Sequence, residues 1–291
     1  MQIRPRRSAL YMPGTNDRAL LKARTLPCDA VILDLEDAVA PSAKAQARAQ
    51  VMAKVAERAF GDREVIVRIN ALGSAWWRDD LQAAGKARPD GVLVPKVERP
   101  TDLETVGTRL DADIPLWAMI ETPLAVINVH AIASVVRYGE TRLAGLVMGT
   151  NDLAKETRAR LTAGRAPMLP WLASAVLAAR ACGIDILDGV HNAIADADGF
   201  RRACEEGRDM GFDGKTLVHP SQIAPCNAVF SPTPEDVADA RRIIAVFDLP
   251  ENRDKGVVGL DGRMVERMHA DMARRTVALA EAIAALEGGG T

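Results

Sequence analysis

The chain has 291 residues, 48% of them hydrophobic, with a formal net charge of -2 and a pI near 6.1. That balance offers no basic face for nucleic acid, and no apolar run approaches the roughly 20 residues that span a bilayer. The first apolar segment is closed early by Pro13-Gly14, too soon for a signal-peptide core, so a cytoplasmic protein is expected.

Arg4, Arg6 and Arg7 read as a solvated N-terminal arm. Eight short apolar runs then follow, at 8–12, 30–35, 64–69, 91–95, 116–120, 143–148, 185–190 and 216–219. Helical patterns rich in Ala, Arg, Gln and Lys separate them, as at 42–59 and 167–182. Runs that are continuously apolar mark strands covered on both faces, as parallel βα units produce. Eight such units predict an α/β fold, a (β/α)8 TIM barrel. A doubly wound open sheet is the alternative, but no G-x-G-x-x-G follows the first strand. After Ser231-Pro-Thr-Pro234 come a helix near 235–247, a Gly/Asp-rich connector at 252–262 and a final helix near 265–286. The expected organisation is a catalytic barrel over 1–230 and a C-terminal helical extension over 231–291. That extension would cap the barrel or contact a neighbouring subunit.

Catalytic groups of a barrel stand at the carboxyl ends of its strands. Here those positions hold Pro13 and Gly14; Asp34, Glu36 and Asp37; Arg68; Lys96 and Glu98; Glu121; Asp152; Asp188; and Lys215 with His219. Glu121 and Asp152 follow the fifth and sixth strands, so both face one mouth. Two such carboxylates suit a hard cation, Mg2+, with places left for substrate. A metal there would polarise the carbonyl of a 2-oxo acid while Arg68 stabilises oxyanion charge, which suits retro-aldol or Claisen chemistry. Plainer readings stay open: Glu36, Asp37 or Asp152 as helix caps, Lys96 and Glu98 as a surface pair, His219 bonded to backbone, Glu121 paired with Arg68. The four cysteines form no C-x-x-C and the four histidines no H-x-x-x-H, so no zinc site is indicated.

Six segments in order carry a family resemblance. They are Arg7-Ser-Ala-Leu-Tyr-Met-Pro-Gly14, Leu33-Asp-Leu-Glu-Asp-Ala-Val39, Val67-Arg-Ile-Asn70, Val94-Pro-Lys-Val-Glu98, Ile120-Glu-Thr122 and Gly214-Lys-Thr-Leu-Val-His-Pro-Ser-Gln-Ile223. Together they resemble the citrate lyase beta-subunit-like proteins of the HpcH/HpaI aldolase superfamily, which include malyl-CoA, β-methylmalyl-CoA and citramalyl-CoA lyases. The resemblance implies Mg2+ or Mn2+ on Glu121 and Asp152, with Arg68 on the oxo-acid or thioester oxygens. It also implies an acyl-CoA substrate that splits into acetyl-CoA or propionyl-CoA plus glyoxylate or pyruvate, and a homotrimer or hexamer. Pro13, Gly14, Lys22, Lys96 and Asp188 would hold CoA or its acyl portion, and Glu36, Asp37, Lys215 and His219 would support the site. Two departures stand out. Gly262-Arg-Met-Val-Glu266 replaces the family's Gly-x-Met-Ile-Asp, so Glu266 takes the place of an acid/base that enters the neighbouring subunit's site. Gly149-Thr-Asn-Asp-Leu153 replaces Gly-x-Glu-Asp, which puts Asn151 where an acid is usual. Alternatives in the same frame are a citrate lyase subunit acting on a carrier-bound acyl group, an aldolase for free hydroxy-oxo acids, and a CoA-ester-binding protein without turnover.

Overall fold

Eight parallel strands close on themselves in the computed structural model, which describes residues 3–111, 113–138 and 141–288. They are β1 (Ser8–Pro13), β2 (Ala30–Asp34), β3 (Glu64–Arg68), β4 (Gly91–Val94), β5 (Leu116–Ile120), β6 (Leu143–Met148), β7 (Asp185–Asp188) and β8 (Gly214–Leu217). The last strand pairs in parallel with the first, Ser8 opposite Lys215, so no edge is left and the fold is a (β/α)8 barrel. The eighth strand lies two residues earlier than the sequence suggested. Gly214 and Lys215 pair there because Gly214 has no side chain; a Cβ would stand 1.9 Å from the Arg6 carbonyl oxygen. The seventh ends at Asp188 rather than 190.

Strand residues alternate between two apolar compartments. Val31, Leu33, Val67 and Val92 face outward and join the large core beneath the helices. Ala9, Ile32, Ile66, Leu93, Trp117, Val147 and Leu187 fill the barrel itself. Each aliphatic side chain so buried contributes about 1.5–3 kcal/mol. Trp117 is fully buried, and the strands on either side of it make room. A Cβ on Gly145 would lie 2.6 Å from the indole Cζ3, and one on Gly91 would lie 3.1 Å from Nε1. Gly145→Ala is therefore expected to lower stability by about 1–3 kcal/mol, the range for overpacking a full core. Urea denaturation reads this directly; an unchanged midpoint would show that the indole has room to shift.

Arg6 and Arg7 are not a solvated arm. Arg6 pairs with Glu64 at 2.7 Å and with Asp185, and its guanidinium stands 4.7 Å from the Trp117 ring. Arg7 is 3% exposed and bonded to Asp29 at 2.8 Å. Glu64 and Asp185 begin their strands, so these pairs close the amino end of the barrel, and the carboxyl end is left for chemistry. A buried charge is tolerated only when paired in this way.

The chain divides into two compact units, Arg6–Phe230 and Ser231–Thr291 with Met1–Pro5. The second contains a helix over Pro234–Asp248, opened by a capping box between Thr233 and Asp236. What the sequence suggested was a connector holds a hairpin, β9 (Val257–Leu260) and β10 (Arg263–Glu266), followed by a helix over Arg267–Gly288. Asp261 and Gly262 form its two-residue turn, both with positive φ (51° and 77°), as a type I′ hairpin demands. Phe247, Val258, Val265 and Ala270 are the core of this unit.

Candidate active site at the carboxyl ends of the strands

Strand register brings the first two charged groups together. Asp34 lies opposite Arg68 at the ends of β2 and β3, so both side chains leave the sheet side by side. The Asp34 oxygens accept from Arg68 Nε and Nη2, each at 2.7 Å, and from the backbone N–H groups of Glu36 and Ala38. Burial pushes the Asp34 carboxyl up, but Arg68 and those donors hold it below its ordinary value. Nη1 of Arg68 remains outside that fork, 3.0 Å from Glu36 and 3.4 Å from Asp37. Sequence reading gave Asp34 no role, because its partnership with Arg68 depends on register between distant segments.

Glu121 is the next residue after β5. It is fully buried, yet it lines a cavity of about 410 Å3 with Asp152, Arg68, Asp37 and Pro13. Its Oε1 accepts the backbone N–H of Lys96 at 2.7 Å. Among the described residues its Oε2 has no hydrogen-bond partner. Burial, followed by the like charge of Glu36, raises its pKa to about 8; Asp152 adds to this, against Arg68 and the Lys96 N–H. The Lys96 backbone is left-handed, φ 52°, which is what aims its N–H at the carboxylate.

Asp152 sits in the first turn of the helix Thr150–Thr157, where the helix dipole favours an anion. Gly149 precedes that helix and extends the β5–β6 ladder, its N–H on the Ile120 carbonyl at 3.0 Å. Asn151 and Asn192 reach across the mouth, with Asn192 Nδ2 donating to Asn151 Oδ1 at 2.8 Å. Tyr11, Met119, Met148 and Thr216 complete the walls. Sequence reading missed these four because they lie within the apolar strands and appear as ordinary core.

The remaining sequence-based candidates divide into two groups. Pro13 and Asp37 line the cavity. Lys96 Nζ is committed to Glu36 at 2.8 Å, and neither residue is among those lining the cavity. Gly14 is shaped by the protein itself: a Cβ there would stand 2.6 Å from the Asp34 carbonyl oxygen. Lys22 is exposed on the helix Asp17–Ala23 and is not among the lining residues. Asp188 is not among the residues lining the cavity. It is completely buried between Arg165 (2.7 Å) and Lys215 (2.6 Å), and Lys215 is equally buried. An ion pair this enclosed is expensive to open. His219 is exposed and bonded to Ser221, capping the next turn. Glu266 ends β10 in the C-terminal unit, its N–H donating to His269 Nδ1 at 2.9 Å.

Whether the residues fit a divalent cation can be judged from charge and partners. Among the described residues Asp34, Glu36, Asp37, Glu121 and Asp152 are set against Arg68, Lys96 and Lys44, an excess of acid. A buried carboxylate oxygen without a partner is costly unless a ligand completes it. Among the described residues no three His, Cys, Asp or Glu side chains form a metal cluster. Two carboxylates with the remaining places open is how Mg2+ is commonly held, so the donors fit.

Comparison with known proteins identifies the family and the fold. Residues 7–220 match the model of the HpcH/HpaI aldolase/citrate lyase family. The chain is 49% identical over 284 residues to (3S)-malyl-CoA thioesterase of Cereibacter sphaeroides, covering 98% of both chains. It is 32% identical to citrate lyase subunit beta of Escherichia coli, over 96% of this chain and 94% of that one. The solved structure of CitE from Mycobacterium tuberculosis, in complex with magnesium, acetoacetate and coenzyme A, superposes with a TM-score of 0.77 at 27% identity. That match covers 97% of this chain and 100% of the other.

Proposed function

Because the chain belongs to the HpcH/HpaI aldolase/citrate lyase family, we propose that it is an Mg2+-dependent enzyme of malyl-CoA-type 3-hydroxyacyl-CoA thioesters. In this reading it breaks, or forms, the carbon–carbon bond between an acyl-CoA and a small 2-oxo acid. The observation that carries it is the buried, unpartnered Oε2 of Glu121 in a cavity shared with Asp152 and Arg68.

Glu121 and Asp152 would hold the cation. Once bound, Mg2+ supplies Lewis-acid polarisation of a carbonyl oxygen. The chain's own residues do the rest. The Lys96 N–H pins one oxygen of Glu121 and leaves the other toward the cavity. Asp34 fixes the plane of the Arg68 guanidinium, so Nη1, itself paired with Glu36 and Asp37, would meet developing negative charge from a held position. Glu266 of a neighbouring copy is assigned the proton transfer, a task an acid one methylene longer than Asp can reach. A homotrimer or hexamer and a cytoplasmic location belong to the same proposal, and light scattering of the purified chain tests the assembly.

A second reading places the break at the thioester C–S bond. The 49% identity to a malyl-CoA thioesterase favours it. Both reactions need the same held carboxylates and the same Arg68, and they differ in product. Purified protein with malyl-CoA and Mg2+ should release glyoxylate with the thioester preserved; release of free thiol without glyoxylate would assign hydrolysis instead. In either case Asp152→Asn is expected to lower turnover by ~100-fold or more, the scale for losing charge stabilisation at a reacting centre. Turnover retained in that variant would remove the metal assignment.

A further inference from the structure

Tyr11 on β1 and Met119 on β5 come from opposite sides of the barrel and meet within the cavity wall. Among the described residues the tyrosine hydroxyl has one hydrogen-bond partner, the Met119 sulfur at 3.9 Å. A thioether is a weak acceptor, and a phenol turned into a charged cavity ordinarily finds an oxygen. Arg68 Nη1, the corner of the guanidinium outside the Asp34 fork, lies 3.7 Å from the same sulfur. The guanidinium carbon also stands 4.9 Å from the centre of the tyrosine ring, which holds the ring in place. Two donors, one neutral and one cationic, thus converge beside a single sulfur, a weak acceptor for both, while Nη1 also pairs with Glu36 at 3.0 Å and Asp37 at 3.4 Å.

We propose that the Tyr11 hydroxyl and Arg68 Nη1 form a two-donor site for one substrate oxygen, with Tyr11 a catalytic residue that donates to that oxygen as negative charge develops on it. The assignment rests on the proposed function, which supplies a 2-oxo acid or thioester carbonyl to this end of the barrel. Burial keeps the phenol protonated, so it remains a donor across the working range. Packing alone would need only the ring, as aromatic–thioether contacts do. The hydroxyl is what distinguishes the two.

Tyr11→Phe removes one oxygen and retains the ring against Arg68 and Met119. Three measurements are made on the full chain: Mg2+ binding by calorimetry, pyruvate binding to the Mg2+-loaded protein, and kcat and KM with malyl-CoA. Mg2+ affinity should stay within about twofold, because the hydroxyl is bonded to the Met119 sulfur and not to Glu121 or Asp152. Pyruvate should bind about tenfold more weakly, and kcat should fall by ~10–100-fold with a smaller change in KM, as for loss of one preorganised donor. Pyruvate binding and kcat both within about twofold of the parent would overturn the assignment while leaving the proposed function intact. A parent that turns over no 3-hydroxyacyl thioester overturns the proposed function instead; weaker pyruvate binding by Tyr11→Phe would then still uphold the donor site.

Discussion

Glu121→Gln is expected to have opposite effects on the metal-free and metal-loaded protein. In the metal-free fold Glu121 titrates near 8, against 4.5 for the free side chain, because burial and then Glu36 oppose its charge. A carboxyl whose folded pKa is raised binds a proton that the unfolded chain has already lost. Stability therefore falls as pH rises from 4.5 to about 8 and is level outside that window. Each unit corresponds to 1.36 kcal/mol, so the penalty at pH 7 is about 3 kcal/mol. Glutamine carries no titratable proton, and its amide oxygen can still accept the Lys96 N–H. Metal-free Glu121→Gln should therefore be more stable than the parent by a few kcal/mol at pH 7–8, and equal to it at pH 4.5. Urea denaturation in a chelator across this range measures the difference; a constant offset at all pH values would remove the titration argument.

Added Mg2+ should reverse the order. The parent must release its proton to bind the cation, so its affinity should rise tenfold per pH unit up to about 8 and then level. Thermal unfolding of the parent should move upward with Mg2+ by mass action. Glu121→Gln, with a neutral ligand in place of the charged one, should show almost no shift. The residue would then be one whose loss stabilises the empty protein and disables the loaded one, the usual sign of a group retained for chemistry.

The barrel was legible because its strands are unbroken apolar runs with turn residues at both ends. Leu116–Ile120 and Leu143–Met148 have the bounds that their sequence suggested; Glu121 is the next residue after the first, and Asp152 lies in the helix turn after the second. Pairing was harder to see. Arg68 is organised by Asp34, a neighbour that only register reveals, and Asp188 proved to be an internal counter-ion for Arg165 and Lys215. A carboxylate at the end of a strand looks the same in sequence whether its partner is substrate or a buried cation. Arg6 and Arg7 misled for the same reason, since their partners Glu64, Asp185 and Asp29 lie on distant segments. The β9–β10 hairpin did carry a local signal, the Asp261-Gly262 pair between two short apolar segments, which surrounding polar residues obscured.

Gly149→Ala is expected to abolish Mg2+ binding while adding only one methyl group. A Cβ at this position would lie 2.3 Å from the Glu121 Cβ and 2.6 Å from its Oε2, the very oxygen that lacks a partner. The backbone there is φ -99°, ψ 73°, outside the left-handed region, so alanine meets no conformational bar and the effect is steric. Neither side can retreat easily. Gly149 is tied to Ile120 by the 3.0 Å ladder bond, and Glu121 is held through Oε1 by the Lys96 N–H. Relief requires turning the carboxylate away from the cavity, which separates it from Asp152 and from any cation between them. Metal affinity and turnover should both fall by ~100-fold or more, the scale for a misplaced group at a reacting centre, with a stability loss of about 1–3 kcal/mol. Gly73→Ala is the control: a Cβ there meets nothing within 4 Å, and the variant should bind Mg2+ as the parent does. Calorimetric titration of both variants decides the matter. Parent-like affinity in Gly149→Ala would mean that the cation is not held by the Glu121 oxygen facing that glycine.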